Sequence, residues 1–172
     1  MKKLCLTLSL MLTASAFAQS NTTVRWRQII GNITPPGGDN PVATVTDANG
    51  NTTSIIHSGT LPWTTRLGDA RVNLSTGEGS FEVAGLVLNG GNATGTTGGL
   101  TSVVGTLVCN PGTAGQAILD TNAVDLSAVG NAELSFKLSV PANCNAPLFL
   151  IRAPQAGLRW IATGAILVIN NS

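Results

Sequence analysis

The chain has 172 residues with nine Lys and Arg, eight Asp and Glu and one His, a formal net charge of +1, and only 10% of its residues are charged. So sparse and balanced a charge excludes the electrostatic footprint of a nucleic-acid binder or of a polybasic membrane-surface protein. Gly, Thr, Asn and Ser are abundant and tyrosine is absent, so the solvated surface must be built from hydroxyls and amides.

Residues 1–18 open with Lys2 and Lys3, run through the apolar stretch around Leu4, Leu6, Leu8, Leu10 and Leu12, and close on Ala16-Phe17-Ala18. A basic start, a short apolar run and a small-residue exit are the pattern of a bacterial-type secretory signal. A membrane anchor would need about 20 predominantly apolar residues, more than this run offers. Cleavage after Ala18 removes Lys2, Lys3 and Cys5, leaving seven basic against eight acidic residues, a net charge of −1, and Cys109 and Cys144 as the only cysteines. The remaining stretch, residues 19–172, has the usual size of one domain and is long enough to bury about two-thirds of its unfolded surface.

Within that domain, short segments rich in Val, Ile, Leu, Thr and Phe alternate with Gly, Asn, Asp and Pro clusters, and no window of helix length carries an apolar stripe of period 3.6. Strands are predicted over residues 23–30, 42–46 and 52–58, the last two joined by Asp47-Ala48-Asn49-Gly50-Asn51, where Asn-Gly suits a hairpin turn. The same five residues begin like a calcium loop, but the glycine is displaced and the bidentate acid is missing. Leu61-Pro62-Trp63-Thr64 reads as a turn in which Trp63 is the candidate exposed contact. Further strands are predicted over residues 70–74 and 80–88, followed by Asn-Gly-Gly-Asn-Ala-Thr-Gly-Thr-Thr-Gly-Gly over residues 89–99, a long exposed loop on composition. The remaining strands fall over residues 100–109, 117–119, 124–127, 132–140, 148–152 and 160–169. The pairs 71–75 with 80–83 and 123–127 with 134–138 look alike, which predicts two similar hairpins facing each other across a sandwich.

An even pair of cysteines in an exported chain predicts a Cys109–Cys144 disulfide, which closes a loop whose constraint is worth at most about 4 kcal/mol in the chain-entropy model. Two cysteines and the single His57 at unrelated spacing make no zinc site. His57 also has no Gly-x-Ser-x-Gly partner, so it reads as a strand-surface residue. Carboxylate pairs for glycoside hydrolysis could come from Glu78, Glu82, Asp120, Asp125 and Glu133, with Glu78 and Glu82 flanking a hairpin and pointing to solvent. Trp26 and Trp160 sit in apolar strands and are assigned to the core. A transmembrane barrel would need aromatic girdles and longer strands than these.

The stretches Val24 to Ile30, Gly105 to Asn110, Phe149 to Arg152 and Arg159 to Gly164 resemble parts of uncharacterised exported bacterial proteins, over most of the mature chain. Gly68-Asp69-Ala70-Arg71-Val72-Asn73-Leu74 with Gly77 and Phe81 to Leu86 is similar, over about a fifth of it, to the CHRD domain, a β-sandwich module of secreted proteins. That resemblance implies a secreted sandwich and nothing catalytic, because the histidine-bearing segment common in CHRD domains is missing here. The sequence as a whole therefore predicts an all-β, antiparallel β-sandwich of about eight to eleven strands with one disulfide. It is expected to be secreted or periplasmic, a non-enzymatic binding or structural protein needing no cofactor or metal, with a glycan or envelope component as partner. The alternative is a glycan-directed secreted hydrolase using acids from the set above.

Overall fold

The computed structural model describes residues 22–171; residues 1–18, read from sequence as an export signal, lie outside the described residues. Thirteen strands form in chain order: β1 Thr22–Gly31, β2 Val42–Thr46, β3 Thr52–Ile56, β4 Trp63–Thr64, β5 Leu67–Asn73, β6 Glu78–Ala84, β7 Val87–Leu88, β8 Ser102–Cys109, β9 Ala117–Asp120, β10 Val124–Asp125, β11 Ala132–Lys137, β12 Leu148–Ala153 and β13 Arg159–Asn171. Eight of them make one curled antiparallel sheet in the order β10-β8-β12-β13-β1-β5-β6-β11, with β9 beside β10 on the free side of β8. The all-β fold follows from period-2 patterns such as those of β5, β6 and β11, whose inward positions are Ala70 and Val72, Phe81 and Val83, and Ala132, Leu134 and Phe136. The two layers of the sandwich are thus the two ends of a single sheet folded over its own core.

The core is an aromatic cluster. Trp26 from β1, Phe81 from β6, Phe136 from β11 and Phe149 from β12 come together with ring centroids 5.5 Å apart for Trp26–Phe149, 5.7 Å for Phe81–Phe149 and 6.3 Å for Phe136–Phe149. Each such pair adds about 0.5–1.5 kcal/mol beyond the area it buries. Room for the rings comes from glycines on the facing strands. A Cβ on Gly105 would lie 2.8 Å from Phe81 and 2.9 Å from Phe149, and one on Gly164 2.6 Å from the Trp26 indole.

β8 is buried on both faces from Val103 to Cys109, which explains its nearly unbroken apolar sequence. Its second face, with those of β12 and β13, is covered by the β2–β3 hairpin, where Ile56, Val108, Leu150 and Trp160 form a smaller core. The turn of that hairpin is the Asp47–Asn51 segment: the Asp47 carboxylate accepts from the amides of Asn49 and Asn51 at 2.8 and 2.9 Å, and Gly50 takes a φ of +85°. These amides hold the Asp47 carboxyl below its ordinary value, the bond from Asn51 most of all.

One sequence expectation is corrected. β5 and β6 form a hairpin, but β10 and β11 do not: β10 bonds to β8 and β11 to β6, so the two stand on opposite lips of the open seam of the curled sheet. The cause is Leu126, which sinks into the core under the seam, while the Ser127–Asn131 turn bonds to the backbone of Leu86 and Gly85. Residues 89–99 are exposed as composition requires, yet they are folded on themselves rather than loose. Leu88 donates to the carbonyl of Thr96 and accepts from Gly95, both at 2.9 Å, and Thr97 is buried.

Cys109 and Cys144 are joined, across 35 residues of sequence. Asn110 braces the junction, donating from its side chain to the carbonyl of Asn143 at 2.7 Å and accepting from the amide of Asn145 at 3.0 Å. Two outcomes follow. Gly105→Ala forces a methyl against two phenyl rings and should cost about 1–3 kcal/mol, the usual range for overpacking, measured as a shift in the urea midpoint. Cys109→Ser with Cys144→Ser should lower stability by up to about 4 kcal/mol, and the loss should match that seen on reducing the unmodified protein.

Candidate functional site

Charge in this chain is rare, so where it gathers is informative. The outward positions of β1, β5, β6 and β11 carry Arg25, Arg27, Asp69, Arg71, Glu78, Glu82, Glu133 and Lys137 on one solvent-facing side of the sheet. The strand register sorts them into rows. One row runs Arg25, Arg71, Ser80, Ser135 across the four strands, and the next runs Asp69, Glu82, Glu133 across three. A third pairs Glu78 with Lys137, whose charges lie 3.7 Å apart.

Arg25 reaches diagonally to Asp69 at 3.1 Å and Arg71 donates to the Ser80 hydroxyl at 3.0 Å. Glu82 and Glu133 stand directly opposite each other without a hydrogen bond or ion pair among the described residues. Like charges facing across strands oppose folding, so this row is held in place against its own electrostatics. Together the rows floor an open groove of about 500 Å³ lined by Arg25, Asp69, Arg71, Ser80, Glu82 and Glu133. Chemically the groove offers acceptors along one row and donors along the next.

The five acids singled out from sequence separate accordingly. Glu82 and Glu133 come together. Glu78 belongs to the Lys137 row, and Asp125 lies across the seam, sharing a shallow cleft with Glu82 and Glu133. Asp120 sits apart, taking Arg152 at 3.0 Å and the Thr106 hydroxyl at 2.6 Å.

Trp63 is not an exposed contact. It is 7% exposed, and β4 pairs it with Leu88 of β7, so the Leu-Pro-Trp-Thr turn is a short strand sealed by its neighbours. The reason is that Asn32 and Asn89, flanking residues from two loops, bond the backbone of Trp63 and Pro62 and carry the segment inward.

His57 has a partner that no sequence motif announced. Its Nδ1 lies 2.6 Å from Asp39 Oδ2, while Asp39 Oδ1 accepts from the Ser58 amide at 2.9 Å and hydroxyl at 3.2 Å. This is not a Ser-His-Asp relay. The Ser58 hydroxyl is fully buried, bonded to Asp39, Thr34 and the Asn40 amide. The set fastens the 32–41 strap over β13, completed by Arg159 donating to the Ser58 carbonyl and Trp160 to the Asn40 carbonyl. His57 bonding, then the Ser58 bonds, holds the Asp39 carboxyl below its ordinary range.

Among the described residues no three His, Cys, Asp or Glu side chains are placed to share a metal ion, and no helix is long and apolar enough to cross a membrane. Compared with protein-family models, with curated proteins and with solved structures, the chain matches none.

Arg25, Asp69, Arg71 and Ser80 were not among the sequence candidates. Their signal was the every-second-residue spacing of polar groups in Asp69-Ala70-Arg71 and Ser80-Phe81-Glu82, but only register shows which of them share a row. Because Asp39 has its carboxyl lowered on folding, it adds stability above its unfolded value near 3.8 that is lost as pH falls through the folded value. The stability difference between the protein and its Asp39→Asn variant should therefore be full at pH 5 and shrink on acidification toward pH ~2.5, followed by thermal unfolding in a pH series.

Proposed function

We propose that this is an exported, non-enzymatic binding or structural protein of the bacterial envelope or exterior, and that the outer face of β1, β5, β6 and β11 is its working surface. Export is supported by the signal pattern over residues 1–18 and by the cysteine pair, which suits an oxidising compartment. The resemblances to exported proteins and to the CHRD module point the same way.

The observation that carries the reading is the row Asp69, Glu82, Glu133 beside the row Arg25, Arg71, Ser80, Ser135. Arg25 bridges to Asp69 and Lys137 to Glu78, but Glu82 and Glu133 stand side by side with no cation paired to either among the described residues, an arrangement that solubility alone does not call for. Such a surface suits a partner that offers many hydroxyls or amides, as a glycan or another polar envelope component does. Carboxylates would accept from it, and Arg71 and the serines would donate.

The hydrolase reading keeps one observation in its favour, the side-by-side placement of Glu82 and Glu133, since paired carboxylates about 5–9.5 Å apart serve glycoside cleavage. The open groove gives neither acid the enclosed, water-poor surroundings that such chemistry uses. Retention of the protein on isolated cell-wall polysaccharide should fall several-fold in the Glu82→Gln, Glu133→Gln double variant, while its thermal midpoint rises as the like-charge row is relieved. Unchanged retention would remove this face from consideration. Release of reducing sugar by the unmodified protein but not by the variant would establish the hydrolase instead.

A further inference from the structure

A second feature lies away from the charged face and does not depend on it. Residues 59–63, the folded 89–99 loop and the connection from β12 to β13 enclose a cleft of about 370 Å³. Its walls are mostly apolar, from Leu61, Leu88, Leu100 and Ile161, with Thr60, Trp63 and Arg159 as the polar exceptions.

Trp63 is more than nine-tenths buried, yet its indole N–H has no hydrogen-bond partner among the described residues. Buried indoles normally find one, as Trp160 does at 2.9 Å on the Asn40 carbonyl. Among the described residues no side-chain nitrogen or oxygen is both sealed from solvent and unpartnered, so the Trp63 N–H must open onto free space, and the space that this side chain borders is the cleft. Gly59 keeps that opening clear. A Cβ there would stand 3.5 Å from the indole nitrogen and 3.1 Å from Ile161.

Arg159 supplies the second polar group. Its Nη1 donates to the Ser58 carbonyl at 2.8 Å, which fixes the guanidinium in place. Among the described residues no carboxylate pairs with it, whereas Arg25 and Arg152 each hold an aspartate. The cleft thus presents an apolar body, the indole N–H, the hydroxyl of exposed Thr60 and one fixed cation, with no carboxylate among its described lining residues. Its volume lies near the lower end of the range for small-molecule sites, about 300–1,000 Å³.

We infer that this cleft binds a small amphipathic carboxylate, its head group accepting from the Trp63 indole N–H and pairing with Arg159, its hydrocarbon chain lying against Leu61, Leu88, Leu100 and Ile161. The anion supplies what Arg159 and Trp63 lack, and the chain covers apolar wall that is otherwise wet.

The test uses octanoate as the probe and octylammonium as its charge-reversed counterpart, each titrated into the oxidised, signal-free protein. The three indole N–H resonances are followed by NMR after backbone and side-chain assignment. Octanoate should move the Trp63 indole resonance saturably and leave that of Trp26 in place; octylammonium should not move either. Arg159→Gln, which keeps an N–H donor for the Ser58 carbonyl but removes the charge, should weaken octanoate binding at least tenfold. The inference is overturned by an unmoved Trp63 resonance at millimolar octanoate, by an equal response to octylammonium, or by unchanged affinity in Arg159→Gln. Should that variant not fold, the comparison of the two probes on the unmodified protein decides the matter alone.

Discussion

The packing of four aromatic rings against strands that carry glycine opposite them is the constraint on which the rest of the molecule depends. Trp26, Phe81, Phe136 and Phe149 come from β1, β6, β11 and β12, strands spread from the third place of the sheet to its β11 edge, so they can meet only if the sheet curls. Gly105 and Gly164 remove the Cβ atoms that would keep the rings apart. Once the sheet curls around this cluster, its outer side on β1, β5, β6 and β11 becomes a solvated convex face. The opposite stretch, β8, β12 and β13, retains an apolar outer side that needs the β2–β3 hairpin as cover. The charged rows and the cleft beneath the 89–99 loop both follow from that division.

Much of this was legible in the sequence because a strand's inward and outward positions alternate. The Phe81-Glu82-Val83 and Glu133-Leu134-Ser135-Phe136 runs declare their faces directly, and the strand positions, the Asp47–Asn51 hairpin and the Cys109–Cys144 pair are recoverable from local chemistry and the expectation of an oxidising compartment. What was not legible is what depends on partners distant in sequence. Glu82 stands beside Glu133 because β6 and β11 share a register set by the buried set Phe81, Leu134 and Ala132, and nothing local in either strand specifies the other. The β10–β11 stretch misled for the same reason: its turn chemistry suits a hairpin, but Leu126 is recruited into the core and pulls the two strands onto different lips of the seam.

The two tryptophan assignments show the same limit from the other side. Trp26 and Trp160 lie in long apolar strands, and their burial follows from that context. Trp63 sits between Pro62 and Thr64 in a segment with turn composition, and turn composition argues for solvent. Its burial is imposed by β7 and by backbone bonds from Asn32 and Asn89, residues that are near it only after folding. His57 and Asp39 likewise meet across the 32–41 strap, 18 residues apart, with no spacing rule to announce them.

The disulfide has a topological meaning beyond its contribution to stability. Between Cys109 and Cys144 the chain runs along the free side of β8 as β9 and β10, crosses the seam, and returns along β6 as β11. The bond therefore closes a covalent hoop that has one arm on each lip of a sheet whose lips share no backbone ladder. With the thiols free, the lips are linked by the 126–131 connection, its backbone bonds to Thr101 and Leu86, and side-chain packing; with them joined, unrolling must drag the hoop with it. The bond thus sets a covalent limit on unrolling that exists only where the thiols are oxidised.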